Sequence, residues 1–171
     1  RITISTSAVC DRVCVRTSPL FLLMAGVVAV LVGFERVDLS GFEVLDSDIV
    51  RQLFTLQSIA AVFLGVLPLL IGLATAVVPL QVGARDMAFP RLSAYGFWCY
   101  VFGGSILIAG LVLGLAPDGG WFMYTPLSSR TYTPGINADI WLLGITFVEI
   151  SALSAAIEII VTIFKLRAPG M

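Results

Sequence analysis

"LFTLQSIAAVFLGVLPLLIGLATAVVPL" (residues 53–80) contains no Asp, Glu, Lys or Arg. A helix needs about 20 predominantly apolar residues to cross the hydrocarbon core of a bilayer, and this run is longer. It reads as a membrane-spanning helix. Pro68 lies inside it. A proline there removes one backbone donor and kinks the helix unless a neighbour satisfies the carbonyl it frees.

Working outward, residues 92–117 (LSAYGFWCYVFGGSILIAGLVLGLAP) are equally free of ionisable acids and bases of these types. Residues 19–34 are apolar but short for a span, so flanking residues or a locally thinner bilayer must complete it. Residues 140–164 are long enough but hold Glu149 and Glu158. The chain as a whole is 58% hydrophobic and 12% charged, against a charged share near a quarter in soluble domains. The fold class is therefore an all-α integral membrane protein with four transmembrane helices, placed at about 19–35, 51–80, 92–117 and 139–166. Residues 1–18 form a tail and 19–171 the four-helix domain. No small-x-small cleavage site follows the first apolar run before Glu35, so that run reads as a membrane helix rather than a removed signal. The partners expected are the lipid bilayer and other membrane subunits, with no nucleic acid.

Basic residues set the orientation. With the N-terminus inside, Arg1, Arg12, Arg16, Arg85, Arg91, Lys165 and Arg167 face the cytoplasm, and Arg36, Arg51 and Arg130 face out. That excess favours both termini in the cytoplasm; the membrane expected is the cell (inner or plasma) membrane. The outer loop 35–50 is acidic, which reads either as a solvated loop or as an attraction for a basic partner. Trp121, Phe122, Tyr124 and Tyr132 in the loop 117–138 fit an interfacial aromatic belt. Cys10 and Cys14 have helical spacing and two readings, an ordinary tail pair or part of a metal site completed by another chain. Cys99 reads as a small apolar packing residue.

Three stretches go beyond hydropathy: "PLQVGARDMAFPRLSAYGFW" (79–98), "GGWFMYTPLSS" (119–129) and "IVTIFKLRAPGM" (160–171). Together they resemble subunit I of the haem-copper oxidase superfamily, the cytochrome c oxidase type. The run G-A-x-D-M-A-F-P-R resembles that subunit's turn between its second and third helices, and the other two stretches follow in the family's order. The resemblance covers about residues 36–171 and corresponds to the first four helices of a longer subunit.

The resemblance implies a His at position 57 as an axial ligand of the low-spin haem, and this chain has Gln57 there. An imidazole nitrogen ligates iron well and a neutral carboxamide poorly. The chain has no His at all, so no haem or copper is expected to be bound by these residues alone, and haem would enter through partner chains. Gln57 reads either as a rebuilt haem contact or as a polar bond to a neighbouring helix. Arg36 loosely matches a family arginine near the haem edge and equally suits an interfacial anchor.

The resemblance further implies that Asp86 stands at the mouth of a proton-uptake channel. The family's nearby channel Asn positions correspond here to Thr75, Ser93 and Glu158, each able to hold water through a hydroxyl or carboxyl. Asp86 can instead pair with Arg85 or Arg91 and pin the turn. Glu149 and Glu158 need protonation, pairing, or a face toward water or protein at bilayer depth. Nine residues of an ideal helix set them about 180° and 14 Å apart, so they cannot share one narrow pore on a straight helix. Glu158 continues a polar stripe with Ser151, Ser154, Thr162 and Lys165, and both acids are candidates for a proton pathway. Three readings remain open: a subunit of a respiratory, cytochrome c oxidase-like complex that is not catalytic by itself, a non-redox membrane protein repurposed from that scaffold, or a truncated product with no independent role.

Overall fold

The computed structural model describes residues 6–36, 46–117 and 119–168, with side-chain detail in the first stretch over 16–34. The side chains of Cys10, Cys14 and Arg36 lie outside the described residues, as do most of the acidic outer loop and the closing 169–171. Among the described residues there are four helices: α1 (Thr6–Arg36), α2 (Ser47–Val82), α3 (Pro90–Val112) and α4 (Asn137–Lys165). All four hold a stretch long and apolar enough to cross a membrane, that of α1 being Arg16–Phe34. Large apolar side chains such as Leu23, Leu70, Phe102 and Leu153 point outward, which suits lipid or protein and not water.

Helix and apolar run are not the same thing. α1 begins at Thr6 and continues through Pro19, because charged side chains near 11–16 limit the membrane span and do not stop a helix. The apolar run 92–117 carries α3 only to Val112. Gly114 adopts φ 68°, with its N–H on the Leu111 carbonyl and the Leu115 N–H on the Gly110 carbonyl. This paired closure around a left-handed glycine ends a helix whatever its hydropathy. At the other end of α2, Gly83 plays the same part at φ 72°, and the turn 83–89 leads into Pro90 at the first position of α3.

α2 is not uniform. Ala60–Val66 winds as a π-helix, a wider local turn that recurs at functional sites. Pro68 follows directly and has no N–H for the Leu64 carbonyl one turn back. The Tyr100 hydroxyl, from α3, donates to that carbonyl at 2.8 Å. The kink is thus satisfied by a neighbouring helix.

The core lies where α2, α3 and α4 meet, around Ile59, Leu64, Tyr100, Leu107, Ile145 and Val148. α3 and α4 approach most closely at Gly103 and Gly144. A Cβ at Gly103 would lie 2.7 Å from the Gly144 carbonyl oxygen and 2.8 Å from Val148. Only glycine permits that approach, the usual device where helices pack without a hydrophobic drive between them. α1 closes the other side, its Phe21 set edge-on to Tyr100 at 6.2 Å.

Candidate functional site

Membrane helices satisfy their own backbones, so buried side-chain polarity has to be explained separately. It concentrates on one wall. Thr75 of α2, Ser93 of α3, and Ser154, Glu158 and Thr162 of α4 are buried or half-buried and lie toward the 83–89 end. Between these helices lies a cavity of about 40 Å³ whose wall is mainly apolar, with Leu67, Pro68, Ile71, Gly96, Phe97 and Val148, but also carries the hydroxyl-bearing Thr75, Ser93, Tyr100, Ser151 and Ser154. A water needs roughly 10–15 Å³ of such space and two to four polar partners, so two or three waters fit.

The hydroxyls have a common direction. Thr75 donates to the Gly72 carbonyl at 3.0 Å, Ser154 to the Ser151 carbonyl at 2.7 Å, and Tyr100 to Leu64. Carbonyls only accept, so those protons are committed to the backbone. What the Thr75 and Ser154 oxygens can still offer is lone pairs, and these suit a donor such as water or a protonated water chain.

Glu158 lies beyond the cavity, 1% exposed. The Ser93 hydroxyl donates into its carboxyl, 2.7 Å from both Oε1 and Oε2. Ser93 is therefore a hinge between the cavity and the acid. One turn further, Thr162 donates to the Glu158 backbone carbonyl at 2.7 Å and accepts the Ala88 N–H at 3.1 Å. The turn carrying Asp86 is thereby tied to α4. The carboxylate of Asp86 accepts the N–H of Met87 at 2.9 Å, and Arg85 and Arg91 beside it are exposed.

Of the sequence candidates, Thr75, Ser93 and Glu158 come together, with Asp86 on the adjoining turn. Ser151, Ser154 and Thr162 of the stripe join them, while Lys165 is exposed at the helix end. Glu149 does not join them: it is exposed on the opposite side of α4. Tyr100 was not among the candidates. Its signal was Pro68, whose orphaned carbonyl requires a donor from elsewhere.

Gln57 is half-buried on α2, just before the π-helical turns, and its carboxamide makes no hydrogen bond to a described residue. Among the described residues no group of three or more His, Cys, Asp or Glu side chains is placed to hold a metal ion. Carboxamide, hydroxyl and isolated carboxyl groups are a poor donor set for haem iron or for copper. These residues do not fit the redox centres that the resemblance implies.

At the far end, Trp121, Phe122 and Tyr124 are exposed and stack on one another, with Phe122 and Tyr124 centroids 4.5 Å apart, and Trp121 leans on Phe63. Thr55 accepts the Gly120 N–H at 3.1 Å and holds this loop to α2.

The family model for cytochrome c and quinol oxidase polypeptide I matches residues 12–171, a span that also takes in most of α1. A probable cytochrome c oxidase subunit 1-beta from Nocardia farcinica is 41% identical over 152 residues, covering 88% of this chain and 26% of the relative. The cytochrome c oxidase subunit 1 of Corynebacterium efficiens gives the same identity and coverage. A probable subunit 1-alpha from Streptomyces coelicolor is 37% identical over 158 residues, 91% of this chain and 27% of the relative. The chain thus spans about a quarter of the length of these relatives.

Proposed function

The chain belongs to the cytochrome c and quinol oxidase polypeptide I family, and from that premise we propose that it serves as a subunit I-like part of a respiratory oxidase complex in the cell membrane, both termini in the cytoplasm. Its contribution is scaffold and proton handling. Haem and copper, which the complex uses for oxygen and electron chemistry, are held by residues outside this segment, because the donors present here do not suit them.

The observation that carries this reading is the cavity with hydroxyl-bearing residues on its wall, one of which, Ser93, bonds a fully buried carboxyl. Asp86 lies on the turn at the cytoplasmic end, tied to the same wall through Thr162. Protons arriving there reach Glu158 first, and Ser93 passes them on to waters held at Thr75 and Ser154. A carboxyl can release and rebind a proton, which the family's amide at this position cannot do. The test is proton uptake by the complex in liposomes with Glu158→Gln. Flux lost with assembly intact supports the relay; unchanged flux removes it.

A second reading is favoured by Gln57 itself. With the imidazole gone, the scaffold serves a non-redox role, either as an accessory subunit or as a proton or small-solute pathway through the same cavity. The two readings separate on haem: the first requires it in the gently extracted complex, and the second requires a complex without it.

A further inference from the structure

The outward wall of α4 raises a question that the cavity does not answer. Leu142, Thr146, Glu149, Leu153 and Ala156 follow one another at three- and four-residue spacing, and all are exposed. They form a single stripe. Glu149 stands in its middle and makes no hydrogen bond or ion pair with a described residue. At 1.5 Å per residue it is about 18 Å from the Asn137 end of the helix and about 24 Å from the Lys165 end. Lys and Arg reach the interface from depth by snorkelling; a Glu side chain is too short. Lipid therefore does not suit this position, because an ionised acid at membrane depth faces protein or water and is paired.

The chain holds no cation to pair with it there. Among the described residues, Arg16 lies inside α1 at the start of its membrane span, and Arg51, Arg85, Arg91, Arg130, Lys165 and Arg167 sit near helix ends or in turns; the remaining arginines also lie outside the apolar runs. A second copy brings the same deficit, and a two-fold contact through this stripe would place Glu149 against Glu149. Thr146, one turn before the acid, and Ala156, two turns after it, are small side chains on this stripe, which allow another helix to come close.

We propose that this stripe of α4 is the docking face for a transmembrane helix from outside these 171 residues, one that presents a Lys or Arg to Glu149 at mid-membrane depth. The inference does not rest on the oxidase reading. It needs only the depth of Glu149, its exposure and the absence of an internal cation.

The experiment places a diazirine leucine analogue at position 153 in the full chain, irradiates native membranes, and identifies the cross-linked peptide by mass spectrometry. The result expected is an apolar peptide of a different sequence with a Lys or Arg near its middle, and a yield at least tenfold lower in Glu149→Gln. Cross-links to lipid alone, to a second copy, or to a peptide with no basic residue in its apolar run would overturn the proposal, as would an undiminished yield in Glu149→Gln. The peptide found with Glu149 intact decides the matter even where the variant fails to insert.

Discussion

Two carboxyls on α4, Glu149 and Glu158, meet opposite surroundings. Glu158 is sealed by α2 and α3 and receives the Ser93 hydroxyl; Glu149 looks out of the bundle with no partner among the described residues. The same functional group is accommodated in one case by the chain's own helices and in the other only by something beyond them. α4 therefore has an inward wall whose chemistry is completed within the chain and an outward wall whose chemistry is not. Substitutions on the two walls should differ accordingly.

The largest effect is expected at the seam that holds the inward wall shut. Gly103→Ala puts a methyl within 2.7 Å of the Gly144 carbonyl, and backbone cannot yield as a side chain does. A loss of about 3 kcal/mol is expected, at the upper end of overpacking, read as a fall in thermal or denaturant midpoint of the purified chain. Gly26→Ala is the control: nothing lies within 4 Å of its added Cβ, so no loss is expected. Equal losses at both sites would break the picture of a tight α3–α4 contact.

Next come the two acids in one assay. Glu158→Leu removes the acceptor of the Ser93 hydroxyl and should lower stability by about 1–3 kcal/mol. Glu149→Leu in the same isolated chain should stay within about 0.5 kcal/mol. A reversed order would show that the two walls had been misassigned.

A smaller effect sharpens the account of the kink. Tyr100→Phe leaves the Leu64 carbonyl without its donor and should lower stability by about 1–2 kcal/mol. In a Pro68→Ala background residue 68 regains an N–H for that carbonyl, so the same substitution should then have little effect. The coupling from the double-mutant cycle checks this, and simple additivity would mean that Tyr100 answers something other than Pro68. Smallest is Thr162→Val, which removes the acceptor for the Ala88 N–H. It should lower stability by about 1 kcal/mol and speed hydrogen exchange at Ala88 selectively.

The four spans were legible because uncharged runs of that length have one physical use. The opposition of Glu149 and Glu158 was legible too, since nine residues make two and a half helical turns. The end of α3 at Val112 was not, because hydropathy ignores the conformational freedom of Gly114, although a glycine after an apolar run is a stop signal in its own right. The π-helical turns of α2 have no signature in residue type; only Pro68 hinted at disturbed backbone bonding. That Ser93 faces Glu158 depends on how α3 and α4 are set against each other through Gly103 and Gly144, and no periodicity within a single helix contains that information. Gln57 stood out only against the family pattern, since a lone Gln in an apolar helix is otherwise unremarkable.

The central claim is that this chain supplies scaffold and proton-handling residues to an oxidase complex while leaving iron to others. It is tested most directly by the reduced-minus-oxidised spectrum and native mass of the complex extracted gently from its own membrane, with Gln57 intact and as Gln57→Leu. The account predicts a haem-bearing assembly, and bands unchanged in position and intensity by the substitution. A haem-free assembly, or a band lost or shifted in Gln57→Leu, would contradict it.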